Sequence, residues 1–247
     1  MRIGLIGLGA IGSFLVQHLP EHAFVVFDAD SKKANETIEQ KKITNATLVP
    51  RMQDIKNVDM VVEAAEQAVV PHLTAFLHRS DVLVMSVGAF TDDYVLKLLL
   101  DAAQKSGKRL WIPSGAIGGL DVLQACNPNE VTLETRKHPK SLGRSDAGET
   151  VVFDGPAREA CRLFPTTVNV AATLSLAGIG FERTRVKVVS DPAVEKNTHT
   201  VFIAAKTGNY RFFFENHPFA ENPKTSALAA HSALWAIQRR SARIQVG

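Results

Sequence analysis

Apolar and polar positions follow two different rhythms in the two halves of this chain. In the first half, short and almost wholly apolar runs at residues 1–6, 23–27, 46–49, 58–63, 81–87 and 109–112 have the length of strands buried on both faces. Between them, residues 13–18, 31–42, 67–78 and 92–106 carry helical spacing, with a capped helix start at residues 31–36. Strand and helix in alternation predict a parallel, doubly wound sheet over residues 1–112, with ligands bound at the carboxyl ends of its strands.

From Pro113 onward the period is mostly two. Residues 130–136, 150–153, 183–189, 198–205 and 209–215 read as strands, and residues 156–164, 169–176 and 223–239 as helices. Strands in series suit an α+β domain over residues 113–247, with a mostly antiparallel sheet and helices on one face. The other face then needs a partner, and the same sheet of a second subunit is one candidate. The last helix, 223–239, is expected to return toward the first domain.

The first strand runs into Gly7-Leu8-Gly9-Ala10-Ile11-Gly12, a glycine turn that opens a helix. Gly7 permits the sharp turn, Gly9 lets backbone approach a pyrophosphate, and Gly12 lets helix and strand pack closely. The helix start that follows, at Ala10 and Ile11, offers free N–H groups and a positive dipole end to an anion. A glycine turn alone is a weak signal. Here the second strand ends in Asp28, 19 residues beyond Gly9, where a carboxylate takes the ribose hydroxyls of a dinucleotide. Strand, turn, helix, strand and acid together indicate a Rossmann-type domain. Asp28 disfavours a 2′-phosphate, while Lys32 and Lys33 read either as an ordinary helix surface or as cations that could accommodate one, so NAD is favoured with NADP still possible. Small residues at two further strand ends, Ala64 and Gly88, suit either the approach of a flat cofactor or close packing alone.

Composition narrows the picture without changing it. The 247 residues are 45% hydrophobic, ample for two cores, and a net charge of +3 without long basic runs gives no support to nucleic-acid binding. Cys126 and Cys161 make no disulfide framework, which favours a reducing compartment, and neither a leader nor a membrane span is read, so a cytoplasmic protein is expected. No metal set or acyl-transfer triad emerges.

Candidate chemistry lies in the second half. Ser114 to Gly119 form another glycine-rich stretch before a short helix, suited either to a substrate carboxylate or to a tight turn alone. Lys224, Thr225 and Ser226 combine a cation and hydroxyls just before the last helix, again open to a binding or a capping role. Of eight histidines, His199 is set apart by its place at a strand start after a turn, where an imidazole can serve as general acid or base or as a structural group.

Four segments carry a family resemblance: Pro-Ser-Gly-Ala-Ile-Gly-Gly-Leu-Asp (113–121), Phe-Pro-x-x-Val-Asn-Val-Ala-Ala-Thr (164–173), Asp-Pro followed by Asn-Thr-His (191–199), and Asn-Pro-Lys-Thr-Ser (222–226). Together they resemble the L-aspartate dehydrogenase family over nearly the whole chain. The resemblance implies a Rossmann domain followed by a domain that dimerises through its sheet. It implies oxidation of L-aspartate by NAD or NADP, through iminoaspartate to oxaloacetate and ammonia, or a supply of the imine to NAD biosynthesis. It also implies His199 as the catalytic histidine and Ala116 and Asn169 as contacts of the nicotinamide cofactor. Other two-domain reductases, of homoserine dehydrogenase or dihydrodipicolinate reductase type, share the glycine turn but not these segments. A dinucleotide-sensing regulator is the alternative outside enzymes.

Overall fold

The computed structural model describes residues 1–164, 168–240 and 242–244, with backbone alone for Val168, Pro223 and Lys224. The chain divides into two compact units. One comprises Met1–Pro113 and Ala233–Arg243, and the other is built on Ser114–Ser232.

The first unit runs β1 (Arg2–Ile6), α1 (Ala10–His18), β2 (Ala23–Phe27), α2 (Ser31–Gln40), β3 (Ala46–Leu48), β4 (Met60–Glu63), α3 (Thr74–Leu77), β5 (Asp81–Val84), α4 (Asp93–Ser106) and β6 (Leu110–Trp111). All strands are parallel, in the order β3-β2-β1-β4-β5-β6. The chain winds outward from β1 to β3 and then returns to β4 on the other side of β1, so the crevice between β1 and β4 is the switch point at which such sheets take ligands. Every residue of β4 and β5 is buried, as strands covered on both faces require. Asp30 and Asp92 cap α2 and α4, accepting from the backbone N–H of Lys33 and Tyr94. The helix expected over residues 67–78 is shorter than its periodicity suggests. Gln67–Leu73 is a 3₁₀ stretch containing Pro71, and only α3 is α-helical. A proline supplies no N–H for the carbonyl four residues back and its ring crowds that carbonyl, so a regular turn cannot form there.

The second unit runs α5 (Leu120–Ala125), β7 (Glu130–Lys137), β8 (Thr150–Pro156), α6 (Ala157–Leu163), α7 (Val168–Ala177), β9 (Thr184–Ser190), β10 (Thr198–Ala205), β11 (Gly208–Glu215), β12 (Pro218–Phe219), β13 (Asn222–Ser226) and α8 (Ala227–Arg239). Its main sheet has the order β11-β10-β7-β9-β8. Three pairings are antiparallel, as expected, while β7 and β9 run parallel. One face carries Val131, Leu133, Val186, Val188, Val201 and Ile203, all buried, and α7 contributes the buried Ala171, Ala172 and Leu174. The helix expected from 223 begins instead at Ala227, because residues 222–226 are strand β13, paired with β12. Asn222 precedes a proline, which disfavours the helical region for it, and the Ser226 hydroxyl accepts from the N–H of Leu228 as a helix cap does. Helix α8 starts in the second unit, and from Ala233 its residues belong to the first. No described helix is long and apolar enough to cross a membrane.

Candidate active site

At the carboxyl edge of the first sheet, the glycine turn is shaped by contacts that differ at each glycine. Gly7 has φ +95, and a Cβ there would lie 2.6 Å from the Ala64 carbonyl oxygen; at Gly12 it would lie 2.0 Å from that of Gly7. These two glycines are dictated by the fold. Gly9 is different: its Cβ would meet nothing within 4 Å, and the residue is exposed at the N-cap of α1. Gly9 therefore leaves open space where backbone can approach a ligand, and Ala10 and Ile11 follow as the first turn of α1. Asp28, at the end of β2, accepts from the N–H of Leu8 at 2.7 Å and from that of Asp30 at 2.9 Å. Its carboxylate is thus tied to the glycine turn, with lone pairs remaining for hydroxyl donors. An open cradle, a helix N-terminus and an anchored carboxylate fit a dinucleotide.

Glu63 was not singled out among the sequence candidates, and it organises the neighbouring strand ends. Its side chain is fully buried at the end of β4. One oxygen accepts from the N–H of Ala65 at 2.8 Å and the hydroxyl of Ser86 at 2.8 Å. The other accepts from the N–H groups of Met85 at 3.1 Å and Ser86 at 2.9 Å. Burial raises its pKa, and the four donors oppose that shift. One carboxylate thus ties the segment containing Ala64 to the one leading into Gly88. A glutamate closing an otherwise apolar strand, Met60-Val61-Val62-Glu63, was the available signal.

In the second unit the covered face of the sheet turns polar at one end. Along β7, Val131 and Leu133 give way to Thr135 and Lys137 on the same face, both buried. His199 of β10 stands opposite Thr135, and its Nδ1 lies 3.0 Å from the Thr135 hydroxyl. The residue is 7% exposed. Burial, with a smaller contribution from the charge of Lys137, pushes its pKa down to about 4, so the free protein holds a neutral imidazole at pH 7. Burial likewise brings Lys137 down to about 8. Sequence reasoning found His199 but passed over Thr135 and Lys137, whose signal was the change from apolar to polar at in-phase positions of one strand.

The second glycine stretch is seated on β11. A Cβ at Gly119, which has φ +72, would lie 2.8 Å from the Phe212 ring, and one at Gly118 would touch Phe214. Phe214 pairs directly with His199 across the strands, so the stretch and the histidine share a sheet face. The Ala116 carbonyl accepts from the Asn216 amide at 2.8 Å, and the Gly115 N–H donates to the Ser232 hydroxyl at 3.0 Å. Ser114 lies just before this turn, half-buried. Asn169 is exposed in the first turn of α7. Thr225 accepts from the Asn222 amide at 3.1 Å, and Ser226 caps α8, so both hydroxyls have local work. The Lys224 side chain and residues 165–167 of the Phe-Pro segment lie outside the described positions.

Comparison with known proteins places this geometry in a family. Residues 119–240 match the aspartate dehydrogenase C-terminal family, and residues 7–113 match the NAD-binding domain described for homoserine dehydrogenase. The L-aspartate dehydrogenase of Methanococcoides burtonii is 39% identical, covering 100% of this chain and 99% of that protein. That of Thermotoga maritima is 37% identical and covers 100% of both chains. The crystal structure of aspartate dehydrogenase from Thermotoga maritima superposes with a TM-score of 0.86 at 34% identity, over 100% of this chain and 99% of that one. A Gfo/Idh/MocA family oxidoreductase from Vibrio cholerae, with a TM-score of 0.55 at 16% identity, shares the fold alone. With the glycine turn, Asp28 and the buried His199–Thr135 pair in place, and relatives matched from end to end, this chain belongs to the L-aspartate dehydrogenase family.

Proposed function

We propose that the protein interconverts L-aspartate and oxaloacetate plus ammonia through iminoaspartate, using a nicotinamide dinucleotide. The end-to-end likeness to L-aspartate dehydrogenases carries this reading. In it, Gly7, Gly9, Ala10, Ile11, Gly12 and Asp28 hold the adenosine and pyrophosphate part, Ala64 and Gly88 border the cofactor, and Ala116 and Asn169 serve its nicotinamide end. The cofactor, when bound, supplies the hydride acceptor or donor. His199 manages protons during exchange of the imine nitrogen for oxygen. It takes a proton from the water that adds to the imine carbon and returns it to the departing amine. The bond to Thr135 fixes the imidazole plane, and either tautomer can satisfy it. Ser114 is a polar group available to substrate on this reading, and Thr225 and Ser226, which accept local hydrogen bonds, can still donate their hydroxyl protons to a substrate carboxylate.

NAD is the cofactor we assign, because Asp28 is tied to the glycine turn, where its carboxylate opposes a 2′-phosphate. A panel of amino acids with each cofactor, followed at the nicotinamide absorbance, tests both assignments. L-aspartate is expected to reduce NAD, with a lower kcat/KM for NADP. NADH binding with no turnover of any amino acid would instead make the protein a sensor.

We also assign the uncovered sheet face to a homodimer. Phe202, Phe213 and Val151 share that face and are 37%, 58% and 49% exposed. The exposed aromatic side chains on the neighbouring strands β10 and β11, with the charged Glu134, Arg136 and Lys187 on the same face, suit a self-complementary contact of mixed character. Light scattering should return twice the mass of the chain, and Phe213→Glu should shift it toward one. A wild-type protein that is monomeric at micromolar concentration rules the assignment out.

A further inference from the structure

Strand order decides which part of a dinucleotide each strand end can serve. On the reading above, Asp28 at the end of β2 takes the adenosine ribose and the glycine turn after β1 takes the pyrophosphate. The sheet continues from β1 to β4 and β5, away from β2. A cofactor laid across this edge brings its nicotinamide riboside to the chain leaving β4 and β5, that is, to Ala64-Ala65 and to Met85 through Gly88.

Both segments converge on Glu63. The strand ladder itself holds Ala64, whose N–H donates to the Ile6 carbonyl, and Met85, whose N–H reaches the Glu63 carbonyl. The Glu63 carboxylate holds the next residue of each segment. It accepts from the Ala65 N–H, from the N–H and the hydroxyl of Ser86, and again from the Met85 N–H. The Ser86 carbonyl in turn accepts from the Ala89 N–H, at the start of the 3₁₀ turn Val87–Thr91 that carries Gly88. Four donors thus meet two oxygens, and only a carboxylate without its proton accepts at every one of these positions. Such a charge is expensive to bury, at 0% exposure in a strand otherwise made of Met60, Val61 and Val62. An apolar residue would close the core equally well, so the use of the carboxylate lies in the segments it holds.

Resting on the cofactor of the function proposed above, we propose that Glu63 is a positioning residue for the nicotinamide half of the dinucleotide. It fixes Ala65 and Ser86, and through them the two strand ends that border that half, before the cofactor arrives. The adenosine half does not depend on it. Asp28 is tied to the glycine turn by the Leu8 N–H, and the Gly7 N–H donates to the Phe27 carbonyl.

The test uses two variants and two ligands. Glu63→Gln keeps the shape and removes the charge. With its amide nitrogen toward Met85 and Ser86, two N–H groups there lose an acceptor; in the other placement the Ser86 hydroxyl can turn, but the Ala65 N–H faces another N–H. Either way one segment is released. Glu63→Asp keeps the charge on a stem one methylene shorter, too short to hold both segments. NADH is titrated by fluorescence, and ADP, which has the adenosine and both phosphates but no nicotinamide riboside, by calorimetry. With a buried N–H left without its acceptor, the Kd for NADH should weaken about tenfold in both variants, while that for ADP should stay within about threefold of wild type. An unchanged Kd for NADH in a folded variant overturns the proposal. So does an equal weakening for NADH and ADP, which would make Glu63 a support of the whole domain. Should Glu63→Gln fail to fold, Glu63→Asp decides by the same two titrations. If the wild-type protein binds no NADH, both this and the proposed function fall; if it does and the variants bind NADH as tightly, only the role of Glu63 falls.

Discussion

His199→Ala should lower kcat for L-aspartate by about a hundredfold to ten-thousandfold, the usual worth of a positioned acid or base. NADH binding should persist, because the glycine turn and Asp28 belong to the other unit. Near-normal turnover at saturating cofactor would remove His199 from the mechanism. The same residue makes a thermodynamic prediction. Its folded pKa of about 4 lies below the ordinary histidine value of 6.5, so the unfolded chain binds the proton more readily between those limits. Stability is then complete above about pH 6.5 and is lost as pH falls toward 4. Urea unfolding should show a loss of about 2 kcal/mol between pH 7 and pH 5 from this group. His199→Ala should abolish that part of the acid sensitivity. A variant as acid-sensitive as the wild type would mean that the imidazole is not held neutral by its surroundings.

The second large effect separates two glycines of one turn. Gly12→Ala drives a methyl group into the Gly7 carbonyl oxygen, which as backbone cannot give way cheaply. It should cost about 3 kcal/mol or more in unfolding experiments, at the severe end of overpacking. Gly9→Ala meets no protein atom and should leave stability within about 0.5 kcal/mol of wild type. Its effect should appear instead in NADH titrations, as at least a tenfold weaker Kd, since the methyl occupies the path by which backbone reaches the pyrophosphate. Normal NADH binding by Gly9→Ala would contradict a dinucleotide cradle at this turn.

The contrast explains what could and could not be read from the chain. The parallel sheet was legible because strands buried on both faces are apolar throughout and are separated by helices long enough for crossovers. Sheet faces in the second unit were legible for the same kind of reason, since alternation marks inside and outside. Alternation says nothing about which strand lies beside which, so the parallel neighbours β7 and β9 were not foreseen. The last helix was expected from residue 223, whereas residues 222–226 pair with β12 and Ser226 caps a helix that begins at Ala227. Glu63 and Lys137 were missed because a charged residue at a strand end usually faces water, and only the surrounding chain shows that these two do not.

Arg240, just past α8, lies in the late segment of chain that belongs to the first unit. Its guanidinium lies 3.0 Å from the Asp81 carboxylate and 3.0 Å from the Asp59 carbonyl oxygen, at the amino ends of β5 and β4. The Rossmann unit is therefore not a contiguous stretch of chain. During synthesis its six strands are complete once residue 111 has emerged, yet this fastening waits until residue 240 has been added. A fragment ending at Pro113 lacks it at any time. Loss of Arg240 therefore acts at the amino ends of β4 and β5, the opposite edge of the sheet from Gly9 and Asp28.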